Sequence, residues 1–395
     1  MTKEVINTPT PAFYNNPKIR AIFYQAVVVI ALIVFFYTII NNTLTNMEAR
    51  GVKTGYGFLS VVAGFDILMS LIPYDATYTY GTTFIVGLLN TLLVSVISIV
   101  FATLLGFFIG LARLSPNWLA AKLATVYVEI FRNIPLLLQI FFWYFAVLAA
   151  LPGIRQSLSF FGDTTFLNNR GLIVPGLIPE AGAGFVYGAI AIAIIGCMAL
   201  HVWAKKRQQL TGQQFPVFWA SLGLLIGLPL LTLFAAGTPF QWDIPELQRF
   251  SFDGGISLIP ELMALTVALS IYTAAFIAEA VRAGVQSVPH GQIEAARSLG
   301  LREARLIKLV VIPQALRVII PPLNSQYQNL IKNSSLATAI GYPDLVSVFM
   351  GTTLNQTGQA VEIVFMTMAV YLVINLLLST LMNWYNNSIA LVERK

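Results

Sequence analysis

The sequence predicts an all-α polytopic membrane protein with about eight transmembrane helices. Of its 395 residues, 57% are hydrophobic and only 10% are charged, and the mean hydropathy is +0.76. This balance is typical of chains that cross a bilayer several times and excludes an ordinary soluble domain. The formal net charge of +6 requires no nucleic-acid partner, because Lys and Arg concentrate in the cytoplasmic loops of membrane proteins.

Apolar runs near or above the ~20 residues that a bilayer requires define the predicted spans. They lie at 21–40, 83–112, 123–150, 185–203, 216–236, 262–283 and 363–386. The first run is too long for the apolar region of a signal peptide, and no small-residue cleavage site follows it, so we expect a retained helix. An eighth span is predicted at 309–341, although Pro313, Pro321 and Pro322 interrupt it.

The distribution of basic residues predicts the orientation of these spans. With a cytoplasmic N-terminus, alternation places the basic loops 113–122, 205–207 and 293–313 inside, as the positive-inside rule requires. The eighth span then returns Arg394 and Lys395 to the cytoplasm, so both termini are predicted to be cytoplasmic. The outside stretches, which are rich in Gly and Pro, are predicted to be loops with short surface helices. They are 41–82, 152–184 and 237–261.

The inside stretch VPHGQIEAARSLGLREARLIKLVVIP, residues 288–313, predicts two helices joined at a glycine corner. Pro289 suits the first turn of a helix, Gly300 stands where a left-handed C-cap is expected, and Glu303 lies in the first turn of a second helix. Such an elbow is suited to docking into a groove of a soluble partner. The alternative is a solvated loop whose charges only satisfy the topology, and the residue types alone do not separate the two.

The spacing within this stretch resembles the signature cytoplasmic loop of ABC importer permeases. That pattern is Glu-Ala-Ala, three residues, Gly, nine residues, then an aliphatic residue, any residue, an aliphatic residue and Pro. At its two aliphatic positions this chain has Val310 and Ile312, which differ only conservatively from the residues commonest there, Ile and Leu. On this resemblance Glu294 is the expected charged contact with an ATPase and Gly300 the corner. The candidate coupling residues are Glu294, Ala295, Ala296, Arg297, Gly300, Arg302 and Pro313.

Three further segments are similar to the polar amino-acid branch of that family. They are LLNTLLVSVISIVFATLLGFFIGLARLS, YVEIFRNIPLLLQIFFWYF and LIKNSSLATAIGYPDL. The resemblance implies a type I ABC importer permease core of five helices, to which the first span and the pair at 185–236 add three. With RGVKTGYGFLSVVAGFDI after the first span, the chain is similar to the longer permease of general L-amino acid importers. The implied segments are 1–80, the first core part 81–151, an insertion 152–261, and the second core part 262–395 with the coupling loop 286–313.

The resemblance also implies a function and a set of partners. The chain is expected to be a permease subunit in the bacterial inner membrane that moves L-amino acids from a periplasmic binding protein to the cytoplasm by alternating access. The expected complex also contains two ATPase subunits and a second permease. That second permease is expected to be a homologue of this chain rather than a second copy of it. No Gly-Lys pair occurs in the sequence, so the chain lacks the common phosphate loop. No catalytic residue, metal or cofactor is therefore expected here, and ATP and Mg²⁺ are expected in the ATPase.

Two functions of other classes remain open. An ion-coupled secondary transporter would need its own coupling-ion site, usually with broken helices in paired halves, and the sequence offers no such pairing. A structural or regulatory membrane subunit would show no dependence on substrate.

Polar residues inside the spans provide candidates for the translocation pathway. If Pro321 or Pro322 begins a helix, Asn324, Gln328 and Lys332 recur every four residues on one face. This stripe is expected to line the pathway, with Lys332 near the substrate carboxylate, or else to join two subunits. Weaker candidates on the second span are Asn90 and Ser95, with Thr91 and Ser98 beside them, for which helix packing is the alternative.

Two pairs of opposite charges are spaced three residues apart near the inner ends of spans. They are Glu129 with Arg132 and Glu279 with Arg282. We expect each to form a local ion pair that fixes the depth of its helix, and a gate or pathway role is the alternative.

Overall fold

Long helices dominate the part of the chain described by the computed structural model, which is residues 17–49, 51, 54–248 and 251–389. The helices are α1 (Pro17–Ala49), α2 (Tyr80–Arg113), α3 (Trp118–Asn133), α4 (Leu136–Phe141), α5 (Ala183–Thr211), α6 (Val217–Ala235), α7 (Pro260–Gln286), α8 (His290–Ser298), α9 (Glu303–Leu306), α10 (Ile312–Asn333), α11 (Leu354–Thr357) and α12 (Ala360–Ile389). Within this part, seven helical segments are long and apolar enough to cross a membrane, and a bent pair raises the number to eight. The predicted number of spans is therefore confirmed.

The residues on which the terminal orientation depends lie outside the described chain. Residues 1–16 and 390–395, including Arg394 and Lys395, are not described. The cytoplasmic position of both termini stays a prediction.

The third predicted span, 123–150, is bent where the sequence suggested one straight helix. Helix α3 ends at Asn133 and α4 begins at Leu136, and their axes differ by 105°. Pro135 causes the break, because proline lacks an N–H and disfavours a helical conformation at the preceding residue. Ile134 is accordingly extended. The buried amide of Gln139 donates to the carbonyls of Phe131 and Ile134, each at 3.0 Å, and so satisfies the freed end of α3. A π-helical segment, Phe142–Leu148, continues α4.

The span predicted at 309–341, which is the seventh along the chain, is one continuous helical run from α9 through α10. A π-helical segment, Ile307–Val311, joins the two helices, and a 3₁₀ segment, Ser334–Ile340, follows α10. Pro321 and Pro322 lie inside α10, so the prediction that one of them begins the helix is wrong. Membrane helices tolerate internal prolines where neighbouring groups satisfy the freed backbone. Helix α10 stays α-helical past both prolines to Asn333, so the four-residue spacing of the polar stripe holds.

Short strands occupy two of the stretches in which we expected surface helices. They are β1 (Leu158–Phe160), β2 (Thr165–Asn168), β3 (Gly171–Val174), β4 (Gly176–Pro179), β5 (Phe240–Asp243), β6 (Glu246–Leu247), β7 (Phe252–Asp253) and β8 (Ile256–Leu258). A 3₁₀ helix at Ile154–Gln156 is the expected short helix in the first of these stretches. The strands were not expected, because the runs between turns are two to four residues long, too short for an α-helix but sufficient for pairing. In the stretch 41–82, a 3₁₀ helix at Tyr56–Ser60 agrees with the expected short helix.

All the strand pairs are antiparallel, and two of them join the stretches 152–184 and 237–261. A four-stranded sheet has the order β1-β2-β3-β8, and β4-β5 and β6-β7 form two-stranded sheets. Gly171, with φ of 122°, begins β3 directly against the Leu258 carbonyl, where no side chain would fit. The hairpin of α5 and α6 leaves the sheet region after β4 and returns into β5.

Two compact units make up the described chain. The first comprises the described residues within Met1–Leu88 and Leu345–Val373. Its core includes Phe58, Tyr80 and Phe349, and the Gly55 amide donates to the Glu362 carboxylate. The segment that follows α1 is thereby fixed to the start of α12. The division of the sequence into segments that begin at 81, 152 and 262 stays a prediction.

The second unit comprises Leu89–Asp344 and Ile374–Lys395, and α7 is its central helix. Helix α7 contacts α3, α4, α10 and the Phe142–Leu148 segment, and its small residues are largely buried. Gly106 and Gly110 of α2 lie against Ile277 and Val281 of α7. This Gly-x-x-x-Gly spacing brings two helix backbones close together, as in other membrane helix pairs.

Candidate functional site

A helical elbow at residues 290–311 is the most sharply formed candidate site. Helix α8 ends in a left-handed corner at Gly300, where φ is 74°. The Leu301 amide donates to the Ala296 carbonyl at 3.2 Å and the Gly300 amide to the Arg297 carbonyl at 2.9 Å. These two bonds are the paired contacts of a Schellman C-cap. The predicted glycine corner is confirmed, whereas Pro289 is the N-cap residue before α8 rather than part of its first turn.

An ion pair connects the two arms of the elbow. The Arg297 Nε donates to the Glu303 carboxylate at 2.8 Å, and both side chains are exposed. This carboxylate raises the pKa of Arg297, so the guanidinium stays charged. Arg302 is the N-cap residue of α9. Together with the glycine cap, the ion pair gives the elbow a defined angle.

The elbow presents one face outward and fixes the other to the chain. Glu294, Ala295, Arg297, Gly300 and Arg302 are exposed, so five of the candidate coupling residues are accessible. Ala296 is 5% exposed and packs inward, as does Leu306 at 2%. The sixth candidate therefore anchors the elbow in this conformation, and the seventh, Pro313, lies half-buried in the first turn of α10.

Two features of the elbow were missed by sequence reasoning. Leu299 at the corner is 81% exposed and places an apolar side chain beside the charged residues of the outward face. The Gln314 amide of α10 donates to the Gln292 side chain of α8. A direct bond thus connects the elbow to the polar helix. The apolar residue before Gly300 could have indicated the exposed Leu299. No local sequence pattern predicts the bond between Gln314 and Gln292.

Helix α10 has one buried and one polar face. The buried face includes Ile319, Leu323 and Leu330. On the other face Asn324 and Gln328 are half-buried, and Lys332 is exposed. The side-chain amide of Gln328 donates to the side-chain oxygen of Asn324 at 3.1 Å. The predicted stripe is therefore present as a surface. Whether it lines the pathway or joins two subunits stays a prediction.

Asn90 and Ser95 of α2 are buried within the chain, 0% and 2% exposed. The Asn90 amide donates to the Pro343 carbonyl at 2.9 Å, and the Tyr342 hydroxyl donates to the Asn90 carbonyl at the same distance. This geometry fits helix packing, because neither side chain is open to a passing solute in this conformation. Their predicted pathway role stays a prediction.

The Glu279 and Arg282 pair is present, and a third charge joins it. The Glu279 carboxylate bonds to Arg282 one turn along α7 and to Arg113 at the end of α2. Arg282 also donates to the Gln286 side chain at 2.6 Å. Arg113, which the sequence placed in a loop, lies at the same depth as Glu279 and is only 11% exposed. The cluster ties α2 to α7.

Glu129 and Arg132 form no ion pair within the described residues, so the prediction that they pair is wrong. Both side chains are exposed, and the Arg132 guanidinium lies over the Phe276 ring at 5.2 Å from the ring centre. An aromatic face attracts a cation, and an exposed pair three residues apart gains little from closing. Arg132 therefore contacts α7 instead of its neighbour on α3.

The described part of the chain contains no cluster of three or more His, Cys, Asp or Glu side chains that could hold a metal ion. The elbow and the polar face of α10 are both carried on membrane-spanning helices or on the connections between them.

Comparisons with known proteins agree with this architecture. A family model described as the binding-protein-dependent transport system inner membrane component matches residues 210–390, which include the elbow and α10. General L-amino acid transport system permease protein AapQ of Rhizobium johnstonii is 50% identical over 404 residues, with 100% of both chains covered. The glutamate/glutamine/aspartate/asparagine transport system permease protein BztB of Rhodobacter capsulatus is 43% identical, with 96% of both covered.

A further relative is YhdX of Escherichia coli strain K12, whose name assigns it provisionally to the amino-acid ABC transporter permeases. It is 57% identical over 383 residues, which cover 96% of this chain and 97% of that protein. These three alignments each cover at least 96% of this chain. The chain belongs to the binding-protein-dependent transport system inner membrane components, as a permease of the amino-acid ABC transporter group.

Proposed function

We propose that this chain is the membrane-spanning permease of an importer in which separate ATPase subunits drive uptake of L-amino acids. The amino acid is released by a periplasmic binding protein and passes to the cytoplasm by alternating access. The observation that carries the proposal is the elbow, which is exposed on one face, capped at Gly300 and bonded to α10. The elbow is the surface to which an ATPase subunit would bind.

Movement of the ATPase subunits would reach the pathway through the elbow. Glu294 and Leu299 on the exposed face supply a charged and an apolar contact for a groove in the partner. The C-cap and the Arg297–Glu303 ion pair keep the two arms in register, so a displacement of α8 passes to α9. Because α9 continues without interruption into α10 and Gln292 bonds to Gln314, the polar helix moves with the elbow.

The polar face of α10 provides contacts for an amino acid. A zwitterionic solute carries a carboxylate, which Lys332 attracts, and polar groups for which Asn324 and Gln328 offer donors and acceptors. The names of the relatives AapQ and BztB describe general L-amino acid transport and transport of glutamate, glutamine, aspartate and asparagine. They support L-amino acids, with polar side chains included, as the substrate class.

The expected complex has two ATPase subunits, which bind ATP and Mg²⁺, and a second permease. We favour a homologue rather than a copy of this chain as that second permease, because the long form resembles one half of a heteromeric pair. The complex lies in the bacterial inner membrane with the elbow in the cytoplasm. An ion-coupled secondary transporter would take up solute without the ATPase. With a structural subunit, the rate of ATP hydrolysis would not depend on amino acids.

Site-specific crosslinking in the assembled complex tests the proposal. With Cys197→Ser as background, Leu299→Cys places a thiol on the exposed corner, and Gln209→Cys places one on the exposed end of α5 as a control. We expect the ATPase to crosslink to the first variant and not to the second. Addition of the loaded binding protein should raise ATP hydrolysis. An elbow thiol that labels freely and contacts no other polypeptide would refute the proposal.

A further inference from the structure

The loop that joins α5 to α6 combines basic and aromatic residues, and the proposed transport function does not use it. We call residues 201–219 the hairpin tip. Three consecutive cations, Lys205, Lys206 and Arg207, lie in α5 before its last turn, which ends at Thr211, and His201 lies one turn before them. The sequence contains no Asp or Glu between Glu180 and Asp243, so the tip is uniformly positive.

The hairpin tip lies between two membrane crossings. Helices α5 and α6 are each long and apolar enough to span a bilayer. Among the described residues, the two helices pack chiefly against each other, and α6 buries none of its residues. Phe218 and Trp219 at the start of α6 are 69% and 70% exposed. The tip is therefore positioned at headgroup depth, with lipid around both helices.

An internal network holds the aromatic and basic groups of the tip in place. The Arg207 guanidinium lies over the Trp203 ring at 5.3 Å from its centre and donates to the Gln213 side chain at 3.0 Å. The Trp203 ring packs edge-on against Phe215, with ring centres 5.2 Å apart. One guanidinium is thus fixed on an aromatic surface, with donors left over for another acceptor.

The two lysines are available for a ligand. Lys205 and Lys206 are exposed, and within the described chain neither takes part in an ion pair. Basic residues that serve only the topology need no fixed geometry. The three side chains leave α5 about 100° apart, so the guanidinium held on the tryptophan and the two free ammonium groups offer donors to anionic headgroups around the helix at the membrane surface.

We propose that the hairpin tip binds the headgroup of an anionic phospholipid. Lys205, Lys206 and the remaining donors of Arg207, which point in different directions around α5, bind phosphate oxygens of the headgroups that surround the tip, and the rings of Trp203 and Trp219 contact the glycerol and upper acyl region. The ligand class follows from the charge of the tip and from the lipid that surrounds the hairpin. The proposal does not depend on transport, because it concerns helices outside the elbow and the polar face.

Native mass spectrometry of the assembled complex tests the proposal. The complex is titrated with phosphatidylglycerol, with phosphatidylcholine of the same chains, and with inorganic phosphate alone. We expect preferential retention of phosphatidylglycerol, which the variant Lys205→Gln/Lys206→Gln lowers about twenty-five-fold, since each cation near a headgroup contributes about a factor of five. The variant Arg20→Gln/Lys122→Gln removes the same charge from two other exposed positions and should retain the lipid.

Two comparisons make the outcome decisive. The variant Lys205→Arg/Lys206→Arg keeps the charge and should bind as the parent does, which separates loss of binding from loss of folding. Equal retention of the two lipids, equal loss in the Arg20 and Lys122 control, or tight binding of inorganic phosphate alone would overturn the proposal. So would a crosslink showing that the tip is covered by another subunit in the complex.

Discussion

Gly300 is the residue on which the geometry of the elbow most directly depends. A Val at this position must adopt a left-handed conformation, which costs roughly 1–2 kcal/mol in the native state for a residue with a Cβ and more for a β-branched one. We expect Gly300→Val to assemble poorly with the ATPase or to hydrolyse ATP without uptake. Reconstituted uptake and ATP hydrolysis, measured together, check this prediction.

The matched control lies in the same elbow. Gly291 is within α8, has no positive φ, and has open space where a side chain would stand. Gly291→Val should therefore keep coupled uptake near the parent level. Parent-like coupling in Gly300→Val would show that the corner does not transmit force.

The charge cluster around Glu279 supports a second prediction at this scale. Glu279→Gln leaves Arg113 and Arg282 facing each other at a partly buried site, and loss of one partner from such a cluster destabilises by about 1–3 kcal/mol. We expect a lower midpoint of thermal unfolding in detergent. Glu129→Gln, an exposed carboxylate outside any ion pair in the described structure, should leave the midpoint unchanged. Equal midpoints for the two variants would contradict the assigned role of the cluster.

At the level of elements, the approach of α2 to α7 depends on two glycines. A Cβ at Gly106 would come within 2.6 Å of the Ile277 side chain, and one at Gly110 within 2.7 Å of Val281. We expect Gly106→Ala to lower the thermal midpoint, with an overpacking cost of about 1–3 kcal/mol. The double variant Gly106→Ala/Ile277→Ala should lose less stability than the sum of the losses of the two single variants, because the smaller side chain makes room for the added Cβ.

An exposed helical glycine provides the comparison for this prediction. Gly223 of α6 has no neighbouring atom within 4 Å of an added Cβ. Gly223→Ala should thus leave stability unchanged or raise it slightly, since Ala favours a helix. If both alanine variants behave alike, the close contact of α2 with α7 is not formed.

The polar face of α10 makes a prediction about transport. Lys332→Met removes the cation that we place near the substrate carboxylate while keeping the length of the side chain. We expect uptake to fall at least about tenfold, the effect of losing one charge-assisted contact of about 1.4 kcal/mol or more. Lys122→Met is the exposed control on α3. Unchanged uptake and unchanged assembly in Lys332→Met would remove both the pathway role and the subunit-contact role of the stripe.

Elements whose cause is local were predictable from the sequence, and elements that depend on distant partners were not. The length of apolar runs predicted the spans, and the position of Gly300 predicted its left-handed cap. The bend at Pro135 was missed because a continuous apolar run masked a single proline. The strands were missed because β3 and β4 pair with β8 and β5, which lie more than 60 residues away.

The same distinction holds within the candidate site. Spacing predicted the Glu279–Arg282 contact, because residues three apart on a helix are neighbours. Spacing could not show that Arg113 would join Glu279 or that Phe276 would attract Arg132. Both depend on the packing of α7 against other helices. The bond between Gln292 and Gln314 likewise follows from the fold of the elbow against α10.

At the scale of the whole molecule, paired strands close the base of the hairpin of α5 and α6. Pro179 of β4 is paired with Phe240 of β5, and the Glu180 amide donates to the Pro239 carbonyl at 3.0 Å. Replacing residues 181–238 with Asn-Gly, a favoured two-residue hairpin turn, should leave the remaining spans inserted. Because two crossings are removed, the orientation of the later spans is unchanged.

Uptake by this shortened chain, compared with the parent at equal membrane abundance, checks the prediction, and we expect activity within about threefold, a change below 1 kcal/mol. A shortened chain that fails to insert would show that the hairpin is required for the rest of the fold. The parent chain with Gly212→Ala, which changes only the cap of α5, controls for disturbance of the hairpin itself.

The narrow attachment of this hairpin also bears on how the chain could have arisen. Its entry and exit are neighbours in space, so a single stretch of genetic material placed between codons 180 and 239 would add both crossings without altering the reading of anything downstream. An ancestor could have acquired or discarded the whole unit in one event, and selection could then have adjusted its surface independently of the machinery that performs transport.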